Sequence, residues 1–255
     1  MEVERNGTIA FERGGAGDAL LVLVHGLAAT ARVWAPMLEQ APRRWPGRWI
    51  ALDLRGHGGS ASRDRYAIAD YAEDVARLVE NEVQAGPITL LGHSLGGVVA
   101  LALAEGTFGI YPAAVYGLGI KVAWSDTELA RMAELSTRPT KSFASRDEAV
   151  VHYGRQSGLG KLESDSPLAE RGVLTGDGGW RTAVDMRAYA IAAPPMAEMI
   201  ASAQCPVRLA RGGTDPMVSL EQLRAFDKAA LSIVDAGHNA MVDAPDAVWA
   251  WLGAR

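Results

Sequence analysis

The sequence predicts an α/β fold: an open, mostly parallel central sheet with helices on both faces and a helical segment inserted after the sixth strand. Three observations predict it. Short, unbroken apolar runs recur along the chain, and several end in glycine. Segments with helical spacing of apolar residues alternate with those runs. At 255 residues and 49% hydrophobic residues, the chain is long enough and apolar enough to enclose such a sheet as a single core.

The elements follow in order. "VERNGTIAFE" opens with two short strand-like runs joined at Asn6-Gly7, a tight-hairpin signal. "ALLVLVHG" is apolar throughout, as a strand buried on both faces must be, and "WIALDLRGHGGS" repeats the form before a glycine-rich loop. "ADYAEDVARLVENEV" places Tyr71, Val75, Leu78, Val79 and Val83 at helical spacing. "PITLLGHS" is a further strand, followed by the apolar helix "LGGVVALALAEG" and the strand "AAVYGLGI". Between residues 121 and 203 the rhythm changes. Short helical pieces alternate with the breakers "TRPT", "GLGK", "DSP", "GDGG" and "APP", the pattern of an inserted cap. The strand–helix rhythm then resumes in "CPVRLARGG", "VSLEQLRAF", "ALSIVDAGH" and "DAPDAVWAWL". The expected organisation is a core of residues 1–120 and 204–255 with a cap of residues 121–203.

A net charge of −5 disfavours nucleic acid and anionic membrane surfaces as partners. The N-terminus lacks the basic-then-apolar pattern of a signal peptide, and no run reaches the roughly 20 apolar residues of a bilayer span. A cytoplasmic protein, monomeric or homodimeric, is expected. The lone Cys205 reads as a small apolar residue, and no Cys/His spacing suits a metal.

Chemistry concentrates in Gly92-His93-Ser94-Leu95-Gly96. This is G-x-S-x-G between a buried strand and a helix, where a sharp turn pushes the serine oxygen out at the sheet edge. A glycine-rich helix entry with an incidental serine is the competing reading. A serine hydroxyl needs a base, and the base needs an acid to hold its tautomer. Of five histidines, His238 in "DAGHNAM" follows the last strand and can arc over the sheet edge. Asp215 in "RGGTDPMV" follows the preceding strand, where Pro216 fixes a tight turn. Asp126 is the best rival acid, with Asp235 and Asp243 nearer to His238 in sequence. An oxyanion needs two amide donors. Leu95 supplies one at the helix start, and Leu27 in "VHGLAAT" supplies the other, with His25 bracing the loop.

With these residues assembled, the chain resembles the α/β-hydrolase superfamily in its small, cap-bearing, esterase- and lactonase-like branch. The resemblance rests on "LVHGL", "LDLRGHGGS", "LLGHSLGG", "RGGTDPMV" and "GHN", each after a strand and in this order. It implies Ser94 as nucleophile, His238 as base and then acid, Asp215 as its orienter, and the Leu27 and Leu95 amides as oxyanion hole. Asp53, Arg55 and His57 are expected to shape a loop beside the site. Serine at the nucleophile position argues against haloalkane dehalogenases and epoxide hydrolases, which need a carboxylate there. Leu95 stands where cofactor-free haloperoxidases and many C–C bond hydrolases carry Met.

The implied activity is hydrolysis of a small, largely apolar ester, lactone or thioester, with no cofactor. The alternatives are a C–C bond hydrolase of vinylogous diketones with the same triad, and a ligand sensor on the same fold. Trp124, Phe143, Tyr153, Trp180, Met186 and Met196 are candidate pocket residues by location, with packing inside the cap as the competing role for each. Arg138, Lys141, Arg155, Lys161, Arg181 and Arg187 are cations that could meet an anionic substrate, though most read as solvated surface.

Overall fold

The computed structural model describes residues 3–82, 86–176 and 178–253. Strands β1 (Glu4–Asn6), β2 (Ile9–Gly15), β3 (Leu20–Val24), β4 (Arg48–Leu52), β5 (Ile88–His93) and β6 (Ala114–Leu118) come first. After them β7 (Ser142–Phe143), β8 (Val173–Gly176) and β9 (Gly179–Thr182) lie in the inserted segment, and β10 (Val207–Gly212) and β11 (Leu231–Ile233) return to the core. The main sheet runs β1-β2-β4-β3-β5-β6-β10-β11. The hairpin β1–β2 and the pair β2–β4 are antiparallel, and the other pairs are parallel. Asn6-Gly7 makes the expected hairpin, with Gly7 at φ 59°.

Every residue of β3 is buried, because the sheet is covered on both sides. Val22, Val24 and Leu90 face one core, shared with the helices Ile68–Glu82 and Leu95–Ala104. Leu21, Leu23 and Leu91 face the other, shared with Trp34, Met37, Met241, Val248 and Trp249. Each such aliphatic side chain contributes about 1.5–3 kcal/mol through burial. Tyr71, Val75, Leu78 and Val79 form the buried stripe of their helix, and Val83 lies outside the described residues. The helix Leu95–Ala104 is buried at every position, which explains why it is apolar all round. Cys205 is half-buried and packs against the first core. Among the described residues, no helix is long and apolar enough to cross a membrane.

The segment between β6 and β10 contains the helices Asp126–Ser136, Arg146–Gln156 and Met196–Ser202. The first opens on a capping box between Ser125 and Glu128. The segment also holds a three-stranded antiparallel sheet, β7-β9-β8, where the sequence suggested only helices and breakers. Gly176 and Gly179 of "GDGG" instead end one strand and begin the next, paired with each other and with Gly179 at φ 108°. These elements enclose a satellite core of Phe143, Val150, Tyr153, Leu162 and Val173.

A buried ion cluster ties this segment to the main sheet. Arg171, itself at φ 62°, reaches Asp53 at 3.0 Å and pairs with Glu12 of β2, which Arg32 also meets at 3.2 Å. Asp53 accepts further bonds from the amides of Ala31 (2.7 Å) and Gly59 (2.8 Å). In the same loop Arg55 pairs with Asp74 at 2.6 Å, and His57 Nδ1 donates to the Arg55 carbonyl at 2.9 Å. Removing the Arg171 charge leaves two buried carboxylates short of a partner. Arg171→Met is therefore expected to cost about 3–5 kcal/mol in urea unfolding. A loss below about 1 kcal/mol would show that the cluster does not hold the segment.

Candidate active site

Ser94 sits between β5 and the helix Leu95–Ala104 with φ 49° and ψ −117°, a conformation that L residues rarely adopt. Its amide donates to the Leu118 carbonyl at 2.9 Å, and its own carbonyl accepts from Gly97 at 3.0 Å. The turn is possible because its neighbours lack side chains. A Cβ on Gly92 would lie 2.3 Å from the Gly96 carbonyl oxygen, and one on Gly96 would lie 2.1 Å from that of Val24. The hydroxyl makes no capping bond to its own helix, and Ser94 lines an adjacent cavity. Leu95 is the first helical residue, so its amide has no partner within the helix and lies at the positive end of the helix dipole.

After β3 the chain makes a second tight turn. The Ala29 amide donates to the Gly26 carbonyl at 3.2 Å, and Ala28 takes φ 61°. Leu27 is thereby set against the same cavity as Ser94. A Cβ on Gly26 would lie 2.8 Å from His93 Nδ1 and 3.2 Å from Ser94 Cβ, so the loop approaches the serine as closely as glycine permits. His25 fixes that loop. Its Nε2 accepts from the Leu54 amide at 2.9 Å, and its Nδ1 donates to the Gly26 carbonyl at 2.7 Å.

The loops after β10 and β11 meet over the sheet edge. A Cβ on Gly212 would lie 1.8 Å from the Gly237 carbonyl oxygen, so only glycine allows this approach. Asp215 is buried, accepting from His238 Nδ1 at 2.8 Å through Oδ2 and from the Met217 amide at 2.8 Å through Oδ1. Burial opposes ionisation of Asp215, but the hydrogen bond and charge of His238 outweigh it and hold the carboxyl below its usual range. With Nδ1 engaged, Nε2 is the imidazole nitrogen available to a partner. His238 lines the Ser94 cavity. In this structure no hydrogen bond joins Ser94 to His238, which is held by Asp215 and His93. His93 holds His238 from behind, donating through Nε2 to its carbonyl at 2.9 Å with the two ring centroids 4.6 Å apart.

The rival acids stand elsewhere. Asp126 begins an exposed helix, Asp243 accepts from the Gly237 amide at 2.8 Å, and Asp235 is exposed at φ 57°. Among the described residues, no group of three or more His, Cys, Asp or Glu side chains is placed to hold a metal.

The cavity measures about 320 Å³. Of the aromatic and methionine residues expected to line it, only Trp124 does. Phe143, Tyr153 and Trp180 instead pack in and against the satellite core, with the Tyr153 hydroxyl 3.5 Å from that of Thr30. Met186 lines a neighbouring cleft and Met196 is buried in the main core. The apolar lining comes from residues without a distinctive local signal, among them Leu129, Met132, Tyr189 and Ile191. The spacing of Leu129 and Met132 on one helix face was the only cue. Of the six expected cations, Arg155 alone lines the cavity. Arg138 and Lys141 line the outer cleft, Lys161 and Arg187 pair with Glu163 and Asp185, and Arg181 donates to the Thr182 carbonyl. Lys121, which was not singled out, lines both cavity and cleft.

A family model described as the Alpha/beta hydrolase family matches residues 21–251. A curated relative from Acinetobacter baylyi, (E)-2-((N-methylformamido)methylene)succinate hydrolase, is 26% identical across 99% of this chain and 97% of its own. The crystal structure of E-2-(acetamidomethylene)succinate hydrolase superposes with a TM-score of 0.79 at 21% identity, covering 96% of this chain and 93% of the other. An esterase from Mycobacterium tuberculosis superposes at 0.78 with 20% identity, over 99% and 89% of the two chains.

His25, His57 and His93 are fully enclosed, and burial pushes all three imidazoles down, His57 to about 4. In the unfolded chain they titrate near 6.5. The unfolded state therefore binds more protons below that value, and native stability falls as pH drops from 6.5 toward 4. Urea unfolding across this window is expected to lose about 1.4 kcal/mol per pH unit for each imidazole that stays neutral in the native state. His57→Gln is expected to flatten the slope, and a flat wild-type profile would contradict the assignment.

Proposed function

The chain belongs to the Alpha/beta hydrolase family, and from that premise we propose that it is a serine hydrolase cleaving a carboxylic ester, lactone or thioester through an acyl-enzyme at Ser94. The observation that carries this reading is the 2.8 Å bond from His238 Nδ1 to buried Asp215, which leaves Nε2 available on a residue that lines the same cavity as Ser94. Ser94 Oγ gives its proton to His238 Nε2 and attacks the carbonyl carbon. The Leu27 and Leu95 amides hold the resulting oxyanion, each donor lowering the barrier by about 3 kcal/mol. His238 then protonates the departing alcohol or thiol. A water molecule, deprotonated by the same imidazole, releases the acid and restores Ser94. No cofactor enters these steps. Residues 121–203 would act as the cap, with Trp124, Met132 and Tyr189 excluding water from the acyl group. We read the protein as cytoplasmic, monomeric or homodimeric, and acting on small molecules.

The name of the Acinetobacter relative describes a formamido-bearing succinate, which favours a second reading: cleavage of an acyl–nitrogen bond by the same groups. A panel of short-chain 4-nitrophenyl esters, lactones, thioesters and anilides separates the two, and a vinylogous diketone tests C–C cleavage. Ser94→Ala is expected to lower kcat at least 10⁴-fold on the preferred substrate with the circular dichroism unchanged. Asp215→Asn is expected to lower it about 10⁴-fold through the wrong His238 tautomer. A Ser94→Ala rate within tenfold of wild type would end the reading, and a serine inert toward a fluorophosphonate would favour the sensor.

A further inference from the structure

We propose that the cleft outside the Ser94 cavity is an anion site, so that the substrate carries a carboxylate or phosphate group beyond the bond being cleaved. This rests on the serine-hydrolase reading for the word substrate, but the anion site itself is argued from the cleft. It encloses about 840 Å³ and shares Lys121, Trp124, Met132, Arg155, Tyr189 and Met217 with the cavity, so one molecule can occupy both.

The protein carries a net charge of −5, yet this cleft gathers Lys121, Arg131, Arg138, Lys141, His152 and Arg155. Glu128 is the one carboxylate among its described lining residues, and Lys121 and Ser125 already engage it. Arg138 pairs with Glu134, and the Lys141 ammonium lies 5.0 Å from the centre of the Phe143 ring. Arg131 and Arg155 make no ion pair among the described residues. Arg155 is the sharper of the two, because it lines both spaces from the last turn of the helix Arg146–Gln156. The local field is also felt by His152, whose imidazole is pushed down by burial and then by Lys141 and Arg155.

A guanidinium fork binds carboxylate or phosphate through two parallel hydrogen bonds. Here it would do so beside Trp124, Met132 and Tyr189, and because Arg131 and Arg155 are themselves exposed the attraction is sensitive to salt. The groove that shares Ile68, Ile191 and Pro194 with the cavity offers no such cation among its described lining residues, where the one arginine, Arg187, is paired with Asp185 and Asp64.

Two matched pairs test the proposal and separate the sources of the anion. Mono(4-nitrophenyl) glutarate against 4-nitrophenyl valerate places a carboxylate on the acyl side. S-butyryl 4′-phosphopantetheine against S-butyryl pantetheine places a phosphate on the leaving-group side. At low salt, at least one anionic member is expected to exceed its neutral partner about tenfold in kcat/KM, chiefly through KM. That ratio is expected to fall toward one in the Arg131→Gln/Arg155→Gln double variant and as NaCl is raised, and to fall only part of the way in Arg155→Lys, which keeps the charge and loses the fork. Ratios near one in both pairs, or a ratio that survives the double variant, would overturn it. Calorimetry on Ser94→Ala with glutaric acid monoanilide and valeranilide reads the anion site without turnover. Anion-dependent binding in a protein that hydrolyses no member of the panel would retain the site and remove the hydrolytic reading. Hydrolysis at Ser94 with no anion preference would do the reverse.

Discussion

The site depends on one backbone conformation, the left-handed turn at Ser94. A non-glycine residue at φ 49° costs on the order of 1–3 kcal/mol and persists only where its surroundings over-determine it. Here they do. The Ser94 amide is bonded to β6, the next residues begin a fully buried helix, and Gly92 and Gly96 let that helix start against the backbone of β3 and β5. The same turn sets the Leu95 amide beside the cavity at a helix N-terminus. A relaxed turn would lose the outward hydroxyl and this donor together.

Around that turn the structure places groups whose protonation is fixed by geometry. His25 is locked as the Nδ1–H tautomer by an amide on one nitrogen and a carbonyl on the other. His238 is locked the same way round by Asp215, but its other nitrogen is left to the cavity. The contrast sorts the histidines without reference to their position in sequence. One is saturated and braces a loop, and the other keeps a nitrogen unengaged in a cavity that Ser94 also lines. The buried Arg171–Asp53–Glu12 cluster extends the same economy to the inserted segment, tying it to the loop after β4. The cavity wall that this segment supplies is therefore anchored to the sheet.

Much of the sheet was legible because buried parallel strands need unbroken apolar runs, and glycine must follow where the chain turns at the carboxyl edge. "LLVLV" and "ITLLGH" could hardly be read otherwise. The placement of Ser94, Asp215 and His238 was legible for a related reason. Each follows a strand, and strand ends are where a parallel sheet collects its loops. The wall of the cavity was not legible. Trp124, Leu129, Met132 and Tyr189 come from short elements whose packing is set by tertiary contact, and local spacing does not say which apolar side chains fill the satellite core and which face the cavity. Phe143, Tyr153 and Trp180 are as apolar as Trp124 and went inward. The small β7-β9-β8 sheet was not legible either, because its strands are two to four residues long and carry at their ends Gly176 and Gly179, which read as breakers.

The most direct test of the central claim is rapid acid quench of the protein with a short-chain 4-nitrophenyl ester, followed by intact-mass and peptide mass spectrometry. The account predicts an adduct of one acyl group, carried by Ser94 on the peptide that spans β5 and the helix after it. An acyl group found on another residue, or turnover with no adduct when the quench falls within the burst, would contradict it.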